Sequence, residues 1–370
     1  MADSPLHKLS AEGQSVWIDF LSRPLLRDGE LERLIREDAV VGVTSNPTIF
    51  QKAISSGDAY DDQLREVLEE TEDAKEAFLQ LAVRDVQEAC DVLRDTFERS
   101  GGVDGFVSLE VDPEVAFDRD ATEQEAERLH GWVDRPNCYI KIPATQDGLA
   151  AIEKTIGAGI PVNVTLIFGL ERYRAVTEAY LKGLEHLAES GGDLSKVPSV
   201  ASFFVSRVDS ETDKRLDELG GHDELRGKLA IANAKLAYQA YKEIFSGERW
   251  EKLAAKGAKP QRCLWASTSV KDDRYKDTMY VEELIGPDTV DTMPPETIEA
   301  FQDHGEVASK LASDVDAAQK VFDDLREAGI DYDDVIATLE KEGVEKFSDS
   351  FGQLLDDVKS KRDELAGATR

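Results

Sequence analysis

Several common features are scarce in this 370-residue chain, and each scarcity narrows what it can do. No apolar run reaches the ~18–20 residues that a membrane-spanning helix needs. The first nine residues are short and polar and lack the apolar core of a signal peptide, so the expected location is cytoplasmic, with no membrane partner. The three cysteines, Cys90, Cys138 and Cys263, lie far apart with no CxxC pair, which favours buried, reduced thiols over a disulfide framework. The five histidines show no i, i+4 ligand spacing, so neither a metal nor any other cofactor is expected. Positive charge is also in deficit. A net charge of −32 argues against nucleic acid, whose phosphates demand clustered Lys and Arg. The glycine pairs, such as Gly101-Gly102 and Gly220-Gly221, fit neither GxxxxGK[ST] nor GxGxxG and read as turns.

The acidic excess is spread over nearly every helical segment, as in Glu66-Val67-Leu68-Glu69-Glu70 and Asp356-Asp357. Such a face is first of all a solvated, repulsive surface. It also suits a high-salt interior, where screening removes the self-repulsion.

Short Val- and Ile-rich runs alternate with Ala-, Leu- and Glu-rich segments, the pattern of an α/β chain. Strands are expected at 15–20, 40–44, 105–111, 137–142, 160–168, 199–205, 262–267 and, most weakly, 289–293. Amphipathic helical stretches intervene at 58–98, 169–189 and 224–245. Eight parallel strands with helical crossovers suit a closed (β/α)8 TIM barrel, which leaves no edge strand exposed. Residues 1–370 then form one barrel domain with additional terminal helices, 307–370 being a C-terminal helical cover.

Strand side chains alternate between faces. In Val107-Ser108-Leu109-Glu110-Val111 the apolar set faces helices, so Ser108 and Glu110 point into the barrel. The same logic sends inward Trp17 and Asp19, Thr44, Tyr139 and Lys141, Asn163 and Thr165, and Trp265 and Ser267, with Asn46 just beyond a strand end. One inward polar residue is ordinarily a hydrogen-bonded core group. A set of them at the carboxyl ends of the strands, where barrel enzymes carry their chemistry, costs desolvation without structural return.

Lys141, between Ile140 and Ile142, is the most informative member. A lone strand lysine commonly lays its stem on apolar surface and reaches solvent. An enclosed amine beside Glu110 and Asp19 instead suits Schiff-base chemistry, in which the lysine forms an electron sink with a ketone and two carboxyls move the protons.

Thr44-Ser45-Asn46-Pro47-Thr48-Ile49-Phe50, Glu110-Val111-Asp112-Pro113, Ile140-Lys141-Ile142-Pro143-Ala144-Thr145, Asn163-Val164-Thr165-Leu166-Ile167-Phe168 and Ser202-Phe203-Phe204-Val205-Ser206-Arg207 occur in this order. Over about residues 14–294 the chain thereby resembles the transaldolases, in particular the longer bacterial form. The resemblance implies transfer of a dihydroxyacetone unit between sugar phosphates in the pentose phosphate pathway, by a monomer or homodimer. It implies Lys141 as the Schiff-base lysine, Glu110 as an acid/base acting through a water held by Thr165, and Asp19 as the base for the C4 hydroxyl. Thr44, Asn46, Asn163 and Ser202 match positions holding the dihydroxyacetone portion, Arg207 matches a phosphate-binding arginine, and Phe204 and Ser267 belong to the same substrate site. One departure stands out. Many transaldolases carry a second phosphate arginine two residues after the position of Ser267, where this chain has Ser269; Lys271 is the nearby cation able to replace it. The smaller fructose 6-phosphate aldolases of the same superfamily typically have glutamine and tyrosine where this chain has Glu110 and Phe204, which favours the transferase.

Overall fold

The computed structural model describes residues 4–368. Its strands are β1 (Gln14–Ile18), β2 (Val40–Val43), β3 (Phe106–Glu110), β4 (Cys138–Pro143), β5 (Val162–Ile167), β6 (Ser199–Phe204), β7 (Arg262–Ala266) and β8 (Thr289–Met293). They pair in sequence order, every pair parallel, and β8 closes on β1. This is the (β/α)8 barrel expected from the sequence, with each expected strand present to within two residues at either end. The stretch expected to be helical from 58 to 98 is divided into Asp61–Leu68, Ala74–Val92 and Arg94–Arg99. Among the described residues no helix is long and apolar enough to cross a membrane.

The barrel is filled in layers, as the alternation requires. Beneath the carboxyl end lies an aromatic layer in which Tyr139 stacks on Phe106 at 4.1 Å between ring centroids and on Trp17 at 6.2 Å. Gly42 makes room for it, since a Cβ there would stand 2.4 Å from the Trp17 ring. The layer above, two residues beyond Trp17 and Tyr139 and four beyond Phe106, is polar: Asp19, Glu110 and Lys141.

The expected alternation is reversed in β7. Trp265 does not point into the barrel; its ring meets Phe203 edge-on, and Phe203 in turn meets Tyr173 of the helix Leu170–Glu189. The register explains the reversal. Ser202 pairs with Leu264 and Phe204 with Ala266, and neighbours in a parallel register share a face, so the inward set is Arg262, Leu264 and Ala266. Two apolar inward residues in one strand invert the simple rule that apolar means helix-facing.

The chain ends in a long helix, Tyr332–Ala368, that lies across the carboxyl mouth. It is tied to the rim on several sides. Arg172 grips Glu340 through two bonds of 3.0 and 3.2 Å, Thr48 donates to Ser350 at 2.8 Å, and Lys361 meets Asp61 at 2.5 Å.

Candidate active site

A cleft of about 720 Å³ opens at the carboxyl ends of the strands. Asp19, Thr44, Asn46, Lys141, Thr165, Ser202, Phe204, Arg207, Ser267 and Lys271 all line it. Glu110 and Asn163, the other two residues singled out from the sequence, lie just under that lining. Glu110 approaches the Lys141 amine, and Asn163 donates to Ser108 at 3.0 Å while accepting from Ser202 at 2.7 Å.

The register of β3, β4 and β5 sets Glu110, Lys141 and Asn163 side by side. The Lys141 Nζ lies 3.2 Å from Glu110 Oε2 and donates to the Ser45 carbonyl at 3.1 Å. Ser45 is itself fixed, its hydroxyl donating to the Ser108 carbonyl at 2.7 Å. The lysine–glutamate contact is not aligned as a hydrogen bond. Both Glu110 carboxylate oxygens and the Thr165 hydroxyl are buried without a hydrogen-bond partner among the described residues. Buried polar atoms are rarely left so, and these three adjoin the Lys141 amine and its cleft, where water or substrate can meet them. Burial pushes the Glu110 carboxyl up to about 7, although Lys141 opposes the shift. An acid titrating near neutrality is suited to taking and returning a proton.

Asp19 stands at the end of β1. Enclosure raises its pKa; Lys141 and the Thr44 hydroxyl pull it back. Thr44 donates to Asp19 at 2.6 Å and lies 2.6 Å from the Thr292 hydroxyl. Thr44 has one proton, so when it gives that proton to the carboxylate it accepts from Thr292. Asn46 ends the β2 turn and caps the helix Pro47–Ser55, its Oδ1 accepting from Ile49 N at 3.0 Å. The cap uses the amide oxygen and leaves the NH2 group for the cleft.

Across the cleft is the cationic side. Arg207 sits in the first turn of the helix Ser206–Leu219, next to Ser206, whose hydroxyl is 2.9 Å from that of Ser267. Arg207 makes no hydrogen bond or ion pair among the described residues; its guanidinium lies 5.2 Å from the Phe204 ring, and burial lowers its pKa. A largely buried guanidinium beside a helix N-terminus and two hydroxyls is an anion site in waiting. Lys271 reaches the same cleft, its amine donating to Ser269 at 2.6 Å. Ser267 arrives there by a left-handed turn just past β7, at φ 57°, rather than by strand alternation.

Five lining residues were not identified from the sequence: Ala266, Thr292, Pro294, Glu296 and Phe347. Thr292 was within reach, because it alternates with Asp291 in the weakest strand. Phe347 carries no local signal, since it comes from the terminal helix and reaches the cleft only through tertiary packing.

The comparisons agree with this geometry. Residues 16–358 match the family model described as Transaldolase/Fructose-6-phosphate aldolase. The chain belongs to this family. It is 56% identical over 355 residues to a protein named transaldolase from Frankia alni, covering 95% of this chain and 96% of the relative. It is 54% identical to the transaldolase of a Parafrankia species, covering 98% and 99%, and 52% identical to transaldolase 2 of Streptomyces coelicolor, covering 98% of each. As a transaldolase-family barrel, the chain presents its lysine, its carboxyls and its cationic wall in one cleft.

Proposed function

We propose that the protein is a transaldolase (EC 2.2.1.2) of the pentose phosphate pathway. It moves a dihydroxyacetone unit from sedoheptulose 7-phosphate or fructose 6-phosphate to glyceraldehyde 3-phosphate or erythrose 4-phosphate. The observation that carries the reading is the Lys141 amine held 3.2 Å from the buried Glu110 carboxyl, in the cleft that the unpartnered Arg207 also lines.

Lys141 attacks the C2 carbonyl of the ketose. Glu110, through a water held by Thr165, supplies the proton that lets the carbinolamine lose water, giving the iminium. Asp19 takes the proton of the C4 hydroxyl as the C3–C4 bond breaks, and the electron pair of that bond is taken up by the iminium. The aldose phosphate leaves, and the dihydroxyacetone enamine remains on Lys141 for the acceptor. Thr44 steers Asp19, while Asn46, Asn163 and Ser202 offer hydrogen bonds to the three-carbon unit. Arg207, aided by Lys271 as a point charge and by Ser267, holds the phosphate, with Phe204 walling the space between. In this reading Lys271 does the work of the second arginine that Ser269 replaces.

A coupled assay of transfer from fructose 6-phosphate to erythrose 4-phosphate tests the reading. Wild type is expected to turn over and Lys141→Met is not. Equal activity in the two would overturn it.

A further inference from the structure

Among the described residues the terminal helix contributes one side chain to the cleft, Phe347, and that ring stands over the reacting amine: its centroid is 5.7 Å from Lys141 Nζ. Phe347 is only 5% exposed, and its position is fixed from both sides along one helix face. One turn before it, Gly343 lies against the end of β5, so closely that a Cβ would stand 3.1 Å from Phe168 and 3.3 Å from Leu166. Almost one turn after it, Ser350 accepts the hydrogen bond from Thr48 beyond the end of β2. The next residue, Phe351, packs edge-on against Phe78 at 5.8 Å. The helix therefore bridges the mouth from β5 to β2, and Phe347 is the apolar group at mid-span.

We infer that Phe347 determines what becomes of the enamine: its ring keeps bulk water from the enamine so that an acceptor aldehyde captures it. This rests on the transaldolase reading. Two reactions compete for the same nucleophilic carbon. In transfer, it bonds to the carbonyl carbon of the acceptor, whose oxygen takes up a proton. In release, it takes a proton from water, forming the iminium and hydroxide. Addition of that hydroxide to C2, proton transfer to Nζ and breakage of the C–N bond then give free dihydroxyacetone and the lysine amine. Final hydrolysis of an iminium is common to both routes and draws on the floor of the site, where Glu110 and Thr165 lie. With acceptor saturating and its phosphate grip at Arg207 and Lys271 untouched, the ratio of release to transfer therefore reports how well the roof protects the enamine. An aromatic roof serves twice, because it also offers its face to the cationic iminium.

The test compares wild type with Phe347→Ala, Phe347→Leu and Gly343→Ala. It measures free dihydroxyacetone formed from fructose 6-phosphate without acceptor against transfer to erythrose 4-phosphate. Phe347→Ala is expected to raise the release-to-transfer ratio by about tenfold or more, while borohydride still traps its dihydroxyacetone adduct. Phe347→Leu, which keeps apolar bulk, is expected to stay within a few-fold of wild type. Gly343→Ala, whose added methyl would stand 3.1 Å from Phe168 and 3.3 Å from Leu166, presses on the helix seat and is expected to raise the ratio without altering the ring, and keeps the test available if Phe347→Ala does not fold. An unchanged ratio in the folded alanine variants would overturn the inference. Absence of transfer in wild type would instead overturn the transaldolase reading.

Discussion

The two ends of this barrel hold similar ingredients in opposite states. At the amino end Arg262 donates to Ser15 at 2.8 Å, to the Val103 carbonyl at 2.6 Å and to Asp104 at 2.9 Å. Asp104 also accepts from Ser15 at 2.8 Å and from the Trp17 indole at 3.3 Å. At the carboxyl end the Lys141–Glu110 pair is poorly aligned, and among the described residues both Glu110 oxygens lack hydrogen-bond partners and Arg207 meets only an aromatic face. The charges at the first end are satisfied by the fold, so removing one should cost stability. Those at the second are left for something else to satisfy, so removing one should cost chemistry. Between these two sets of lumen charges, burial is shared, and the difference lies in how far each charge is met by hydrogen bonds.

The strongest way to break the contrast is at its centre. Lys141→Met should lower transfer by on the order of 10⁴-fold or more, since no other group replaces a covalent nucleophile. Its melting temperature should stay near that of wild type. A large loss of stability with little loss of activity would reverse the contrast. Next comes proton transfer. Glu110→Gln should reduce kcat by about 10²–10⁴-fold. The carboxyl titrates at about 7, so a limb near that pH in the wild-type profile should vanish in the variant. Arg207→Ala should raise KM for phosphorylated donors by roughly 10²-fold, the worth of lost charge-assisted hydrogen bonds, and barely affect unphosphorylated dihydroxyacetone donors.

At the other end, Asp104→Ala should cost about 2–4 kcal/mol of stability by leaving Arg262 with an unbalanced charge. Its kcat should be retained, as measured by denaturant unfolding alongside the coupled assay. The smallest expected effect concerns the whole surface. If the −32 net charge reflects adaptation to salt, the melting temperature should climb steadily as KCl is added. A flat series would remove that explanation.

Asp291 sharpens the contrast from outside the barrel lumen. It is fully buried, takes one hydrogen bond from Thr268 at 2.8 Å, and has its other oxygen unpartnered among the described residues. Burial pushes its pKa from an ordinary 3.8 to about 7. Across that window the folded state binds the extra proton, so this group makes stability fall as pH rises from about 4 to about 7. Asp291→Asn should flatten that part of the stability profile, and an unchanged slope would show that the group does not titrate there.

The sequence revealed much of this because the barrel obeys two strict periodicities. Alternation placed Lys141, Glu110, Asp19, Thr165 and Asn163 on one face, and the motifs around them carried the family. It failed where a strand departs from the simple code. β7 turns Leu264 and Ala266 inward and Trp265 outward, and only the register with β6 reveals it. β5 contains a second departure, a register shift between Val164 and Ile167 with Leu166 at φ 60°. Thr165 still lines the cleft despite that shift. Phe347 was out of reach for a different reason. Nothing in Glu345-Lys346-Phe347-Ser348 distinguishes a ring over an active site from one on any amphipathic helix, and its role depends on contacts nearly two hundred residues away or more in the chain.

The most direct measurement of the central claim is to reduce the protein with borohydride in the presence of fructose 6-phosphate and no acceptor, then map the modified peptide by mass spectrometry. The account predicts a three-carbon dihydroxyacetone adduct on Lys141. An adduct on another lysine, or an unmodified chain under conditions where the donor is cleaved, would contradict it.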